Sequence, residues 1–497
     1  MPGLQVVWFK RDLRVVDHPA LSAAARAGPV VGLYVFEPSL AHAPETDASH
    51  VGFVRESLTE LRAALVARGS TLIVRVGEVV DVLGALHATL RFEGLWSHEE
   101  TGLLITFTRD RAVKRWATGT GVRWTELPQA GVRRPHRSRD GWASHWDTFM
   151  RAPLAVVPER LEAPALMVDE GPLPTPAEVG ARESGKRDVQ RGGMREAAAT
   201  LESFLTERSQ GYLAGISSPT TAWEASSRLS PYLAYGTLST RLVVQQTLRI
   251  RARADERHRA QLDGFLSRLR WRCHFTQKLE DEPELEVRNQ WRGADGLRLE
   301  DEAAWPSTVR SRFDRFTHGQ TGVPLVDAVV RCLRATGWVN FRMRAFVASF
   351  AAYDLWLHWR PTARFFAPHF LDFEPGIHFP QFQMQSGTTG INALRIYSPD
   401  KQLAEQDPEG VFVRRWVPEL ERVPLQFLAR PSAMPSSVQA ESGCHIGTDY
   451  PPPMVEHEAA AREARRRIEL ARRSEGQREA RAAVFQRHGS RRPARRR

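Results

Sequence analysis

The residues best able to do chemistry in this 497-residue chain gather between positions 338 and 402. Asp372, Glu374 and His378 stand among Phe373, Phe379 and Phe382, and the stretch before them carries Asn340, Arg342 and Arg344 within an aromatic-rich run. Charge beside so much apolar surface needs an opposite charge or a ligand. Arg344 and Asp372 therefore read either as an internal ion pair or as part of a ligand site. A second group, Ser226-Ser227-Arg228-Leu229-Ser230-Pro231, puts three hydroxyls and an arginine ahead of a proline suited to the first turn of a helix. Hydroxyls and free N–H groups at a helix start hold phosphate, or Ser230 is an ordinary N-cap. Trp271-Arg272 and the pair Arg342/Arg395 suit base stacking and phosphate contact, or else a core aromatic with snorkelling arginine stems.

These residues need elements to hold them. Apolar residues Met343, Val347, Ala351 and Leu355 recur every fourth position, which predicts one buried helical face over 338–359. Upstream, β-rich runs at 4–9, 29–36, 70–76, 94–97 and 122–127 alternate with helical stretches, which predicts a parallel sheet covered on both faces. No glycine-rich phosphate loop follows the first strand. Prolines 153, 158, 164, 172, 174 and 176 mark a crossing linker. From 195 the pattern is helical, with helices expected at 197–206, 240–253, 260–279, 324–336 and 339–359. The fold class is α/β followed by all-α: an α/β domain at 1–130, a linker at 131–194, a helical domain at 195–475 and a basic, disordered tail at 476–497.

The net charge of +11 suggests a polyanionic partner, but its location changes that inference. Beyond Ala461 there are 14 Arg and 4 Glu, so 14 − 4 = +10 lies in the tail, and a nucleic-acid surface on the body must be a local patch. Cys273, Cys332 and Cys444 are too few and too scattered for a disulfide framework or a four-thiolate metal site. A reducing, cytoplasmic setting is the expectation, with no metal, no membrane span and no signal peptide.

In order along the chain, these segments resemble the photolyase/cryptochrome family over nearly the full length. Trp8-Phe9-Lys10-Arg11-Asp12-Leu13-Arg14 with Asp17-His18-Pro19 is similar to the family's opening signature. Thr321-Gly322-Val323-Pro324-Leu325-Val326-Asp327, Thr336-Gly337-Trp338, Arg395-Ile396-Tyr397-Ser398-Pro399 and Tyr450-Pro451-Pro452 match its later markers in sequence. The resemblance implies an α/β antenna-binding domain and a helical domain holding FAD, with a second antenna chromophore of open identity. It implies that Tyr212, Ser226, Ser227, Arg228, Leu229 and Ser230 contact the FAD phosphates and ribityl chain. Asn340, Arg344, Asp372, Glu374 and His378 would complete the cofactor site, with Arg344 and Asp372 paired beside the isoalloxazine ring. Trp271, Arg272, Arg342, Arg395 and Gln402 fall where repairing members face DNA. The implied activity is light-driven repair of pyrimidine dimers by a monomer, with Trp271, His378 and Trp359 in the catalytic roles.

The sequence also departs from the family. Arg268 stands where a glutamate that hydrogen-bonds the lesion is usual, and Phe341 and His378 stand where asparagines are usual. Only Trp359 survives of three tryptophans that pass an electron to the flavin, since Phe316 and Phe382 hold the other places. The carboxylate that binds a folate antenna is replaced by Thr106. His378 is expected to sit opposite the flavin's reactive nitrogen, kept charged by Asp372 and Glu374 and so able to deliver a proton. Cyclobutane dimers are the expected lesion; a cryptochrome-like blue-light receptor without repair is the alternative, and a nucleic-acid-binding role for the tail a third.

Overall fold

The computed structural model describes residues 3–134, 139–162, 169–473 and 477–489. Five strands, β1 (Gln5–Phe9), β2 (Val30–Phe36), β3 (Leu72–Val76), β4 (Gly94–His98) and β5 (Arg123–Leu127), form one parallel sheet in the order β3-β2-β1-β4-β5. Its β-branched runs suit strands buried on both faces. Alternation in β1 divides the core: Val7 and Phe9 face one cluster, Val6 and Trp8 the other. The chain crosses over between β3 and β4, so the sheet's switch point lies between β1 and β4.

That crevice is filled by the chain itself. Asp12 accepts from the Lys10 N–H (2.7 Å) and lies 3.0 Å from His18 Nε2 and 2.6 Å from His98 Nδ1. His18 Nδ1 accepts from the Leu21 N–H, so its proton sits on Nε2 toward Asp12. Asp12, His18 and His98 bring their ligand-type atoms within 4.8 Å of one another, and both rings act here as donors to one carboxylate. Burial lowers both imidazole pKa values, His98 to about 3, which keeps the rings neutral. Beside this triad, Lys10 contacts Glu100, Asp110 and Glu126, and Arg109 contacts Glu37, Glu100 and Asp110.

The expected linker is more than a linker. Its helix Trp142–Arg151 buries Trp142, Trp146 and Met150 in the core that joins both domains, and the chain then runs back along the sheet, where Val30 N–H donates to Glu162 O and Val74 N–H to Glu170 O. In the helical domain Met194–Thr206, Thr240–Arg253, Glu256–Asp281 and Pro324–Thr336 lie where helices were expected, the first and third starting earlier. The single helix expected to run to Trp359 is instead broken. Phe341–Ser349 is α-helical, Phe350–Asp354 widens to a π turn, Trp356 takes φ 56°, and Trp359–Phe366 starts a new helix capped by His358. The apolar spacing survived because Met343, Val347, Ala351 and Leu355 are all buried, but periodicity does not register a π turn. The tail is also corrected: residues 476–497 begin with helix Gln477–His488, while the expectation of disorder at 490–497 falls outside the described residues.

Candidate functional site

Three segments of the helical domain converge on a polar, buried site. The first runs from Ser226 to helix Ser230–Ala234. Arg228 sits at φ 57°, a conformation non-glycine residues seldom adopt, and its guanidinium lies 3.9 Å from the Trp338 ring centroid and 4.5 Å from that of Trp223. Burial pushes its pKa down to about 10, and it has no carboxylate within ion-pair distance among the described residues. Arg208 holds the Ser226 and Ser227 carbonyls and Gln190 the Arg228 carbonyl, which fixes the strained turn. The Ser226 hydroxyl and Arg228 Nη1 are buried without a protein partner. Ser230 is not an N-cap, since Leu229, fully buried, occupies the cap position; the Ser230 hydroxyl instead helps lower the Asp372 carboxyl.

The second segment starts at Asn340. Its amide donates to Ile216 O (3.0 Å) and Ser217 O (2.7 Å), and its Oδ1 is buried and unpartnered. Arg344 binds Asp372 through two parallel bonds of 3.0 and 2.8 Å, lies 4.1 Å from the Phe370 ring centroid and donates to Val339 O. Burial alone would raise the Asp372 carboxyl; Arg344, Ser230 and Arg228 together hold it below the usual carboxylate range. The ion-pair reading is therefore met, and it does not exclude a ligand beside the pair.

The third segment carries Glu374 and His378. Glu374 accepts from Arg272 at 2.6 Å, and Arg272 also donates to Leu233 O. Arg272, expected on DNA, thus faces the domain seam. It follows Trp271 by one residue, about 100° round the helix, so the two cannot share a face. The seam leaves a cavity of about 60 Å³ lined by Arg11, Glu99, Thr101, Gln129, Arg272 and Glu374, and these residues name no chromophore.

His378 departs from expectation. Its Nε2 lies 2.8 Å from Ala363 O, and Phe382, Phe373, Phe379 and Phe370 surround it at 4.7, 5.1, 5.4 and 5.9 Å between centroids. Burial lowers its pKa to about 4, outweighing the attraction of Asp372, while Glu374 is engaged by Arg272. The imidazole is neutral near pH 7 and its Nε2–H donates to a carbonyl, so the charged proton donor expected from the sequence is not there. Tyr212 packs edge-on against Phe204 and Phe265; burial raises its hydroxyl pKa to about 12, against the lowering influence of Arg268, the residue at the place of the usual glutamate. Trp359 is 1% exposed and donates to Asn289 Oδ1 at 2.7 Å; Phe366 bridges Phe316 (5.8 Å) and Phe382 (5.7 Å).

At the surface, Trp271 is 41% exposed, Arg395 is exposed and Arg342 half-buried, and neither arginine has a carboxylate within ion-pair distance among the described residues. Gln402 is buried with Oε1 unpartnered. Sequence reasoning missed Arg208 and Trp223, which build the Arg228 turn; the signal for Trp223 was an aromatic five residues before a buried-site arginine. The orphaned Ser226 hydroxyl and Arg228 Nη1 can both donate and so fit pyrophosphate oxygens such as those of FAD, while the orphaned Asn340 Oδ1 accepts and fits a hydroxyl or N–H elsewhere on such a ligand.

Comparison with known proteins agrees with this fit. Residues 265–470 match the FAD binding domain of DNA photolyase, and residues 5–162 match DNA photolyase. A cryptochrome DASH of Gloeobacter violaceus is 30% identical over 92% of this chain and 95% of its own length. A deoxyribodipyrimidine photo-lyase of Alkalihalophilus pseudofirmus is 26% identical over 93% and 97%. Among solved structures, a bacterial class III photolyase from Agrobacterium tumefaciens superposes with a TM-score of 0.82 at 26% identity, covering 95% of this chain and 98% of that one. An archaeal photolyase from Sulfolobus tokodaii carrying two FAD molecules gives 0.75 at 23%, covering 94% and 100%.

Proposed function

This chain belongs to the DNA photolyase/cryptochrome family, and we propose that within it the protein is a deoxyribodipyrimidine photo-lyase acting on cyclobutane pyrimidine dimers in DNA. The observation that supports the reading is that a helical domain with a buried set of unpartnered polar atoms also carries an exposed Trp271 and, in Arg342 and Arg395, two arginines with no carboxylate within ion-pair distance among the described residues. FAD, when bound in its reduced form, supplies light-driven electron donation to the dimer. The chain supplies the rest. Arg228 and the Ser226 hydroxyl hold phosphate oxygens, and the Trp223 and Trp338 rings keep the guanidinium in place. The Arg344–Asp372 pair would offer a bound flavin fixed charge of set orientation. His378 and its four phenylalanines would supply a dry, apolar wall to that cofactor site. Trp271 stacks on an extruded base, while Arg342 and Arg395 grip the backbone around it.

A cryptochrome-like blue-light receptor is the second reading, favoured by Arg272 being committed to Glu374 and by Arg268 at the place of an acid. One experiment separates them: illumination of the reduced holoprotein with single- and double-stranded oligonucleotides carrying a defined cyclobutane dimer. Loss of dimers with restoration of intact pyrimidines is expected; persistence of the dimers under light that still changes the flavin spectrum favours the receptor.

A further inference from the structure

The reaction just proposed leaves the C-terminal helices without a task. Helix His457–Arg473 buries Ala464 and Ile468 against Ala352 and Tyr353 of the π turn, with Leu394 and Ile396 packed alongside. Helix Gln477–His488 reaches the end of the long helix Glu256–Asp281: Arg487 donates to Asp281 O at 2.7 Å and pairs with Glu282 at 3.2 Å, and His488 Nε2 lies 2.7 Å from the same carboxylate. Between these anchorages two arginines reach inward, Arg472 to Asn392 O at 3.0 Å and Arg481 to Gly390 O at 2.6 Å. Gly390 has φ 72°, and a Cβ there would stand 2.8 Å from Trp291. The backbone at 390 is thus clamped between Trp291 and Arg481, and the clamped loop is the one that displays Arg395.

Other arginines of the two helices stay in solvent. Arg462, Arg465 and Arg478 are exposed and have no carboxylate within ion-pair distance among the described residues, whereas Arg466 and Arg467 share Glu463 and Arg473 faces Glu469. The helix His457–Arg473 spends its apolar stripe on the π turn, which leaves Leu470 as its one large exposed hydrophobic residue, too little apolar surface to enter a lipid layer. What remains is three solvent-exposed guanidinium groups on the two helices that hold the loop carrying Arg395.

We propose that the C-terminal helix pair is a strap that widens the DNA surface beyond the lesion site. Arg472 and Arg481 are positioning residues that set the Arg395 loop, and Arg462, Arg465 and Arg478 take phosphates of the flanking duplex. This rests on the reading of the protein as DNA-binding, but its test uses undamaged duplex and so does not depend on repair. Fluorescence anisotropy of the FAD-loaded full chain is measured across 50 to 200 mM salt. Each phosphate contact contributes about 0.9 to the slope of log K against log salt, so the triple variant Arg462→Ala, Arg465→Ala, Arg478→Ala should lose roughly 2.7 of slope, about a 40-fold smaller drop over that range. Flavin content and lesion discrimination should stay unchanged in that variant. The pair Arg472→Ala, Arg481→Ala should do the opposite: little change of slope, but reduced preference for dimer-bearing over undamaged single strands, partly restored by Arg481→Lys. An unchanged slope in the triple variant overturns the phosphate contacts, and unchanged discrimination in the pair overturns the positioning role. Stronger loss of binding to anionic vesicles than to duplex in the triple variant overturns DNA as the occupant. A wild type with a steep duplex slope but no lesion preference would sink the photo-lyase reading and leave the strap's phosphate contacts standing.

Discussion

Arg344 and Asp372 form an ion pair that the fold needs and that the proposed flavin site would use. Two parallel bonds at 3.0 and 2.8 Å satisfy a carboxylate that is otherwise buried, and removal of either partner strands the other. Arg344→Ala or Asp372→Ala should each destabilise the fold by roughly 3–5 kcal/mol and weaken flavin retention, while the double neutral variant should cost less than the sum. Denaturant titration of the four proteins, read by flavin fluorescence and circular dichroism, gives the coupling; additive losses would mean the pair does not act as a pair. His378 yields a second, pH-based prediction. Its folded pKa of about 4 lies below the unfolded value near 6.5, so below pH 6.5 the unfolded chain binds the proton more readily. Stability from this group is full above pH 6.5 and falls by about 3 kcal/mol as pH drops to 4, and His378→Asn should flatten that part of the profile. Equal acid sensitivity in both proteins would show that the imidazole is not held neutral.

The long helix Glu256–Asp281 turns two neighbouring residues to opposite purposes: Trp271 looks outward, while Arg272 locks onto Glu374 and Leu233 O across the seam. Trp271→Ala should therefore cost roughly 1–3 kcal/mol of affinity for dimer-bearing DNA and little for undamaged DNA, with flavin content intact. Equal losses on both DNAs, measured in the dark, would place the ring in the core instead. This helix also marks where sequence was informative and where it was not. Strands with continuous β-branched runs and helices with fourfold spacing were legible, because burial on one or both faces leaves a pattern in residue type. The Arg344–Asp372 pair was legible because charge amid phenylalanines has few solutions. The direction of Arg272, the neutral state of His378 and the π turn at Phe350–Asp354 were not, since each depends on which neighbours arrive from elsewhere in the chain. The same limit hid Arg208, whose bonds to Ser226 and Ser227 span about twenty residues and leave no local signature.

At the scale of the molecule, the two domains are joined too closely to behave separately. The segment after β1 acts as a bolt: Arg11 donates to Ala234 O and Phe373 O, the Leu13 N–H to Tyr235 O, and Arg14, buried to 2% exposure, to Gly236 O and Asp17 O. Asp17 in turn binds Arg241 and Ser239 of the helical domain. One apolar cluster runs from Val7 and Phe9 of the sheet through Trp142 and Trp146 to Phe204, Phe265 and Leu371. Because the bolt ends on the same turn that follows Ser226, Arg228 and Ser230, loosening the seam should release the cofactor without touching a residue that would contact it. Gly236 is the position to test. Its φ is 65°, and an added Cβ would lie 2.2 Å from the Arg11 carbonyl oxygen and 2.6 Å from the Asp12 Cα, both backbone atoms with no freedom to move. Gly236→Ala should destabilise by at least ~2 kcal/mol, combining a left-handed conformation with a steric clash. In thermal melts of the holoprotein, flavin release and loss of helical signal should coincide in the wild type and shift down together in Gly236→Ala. Two separated transitions in the wild type, or flavin release unchanged while the α/β domain alone melts earlier, would show that the domains fold independently and that the bolt does not hold the site.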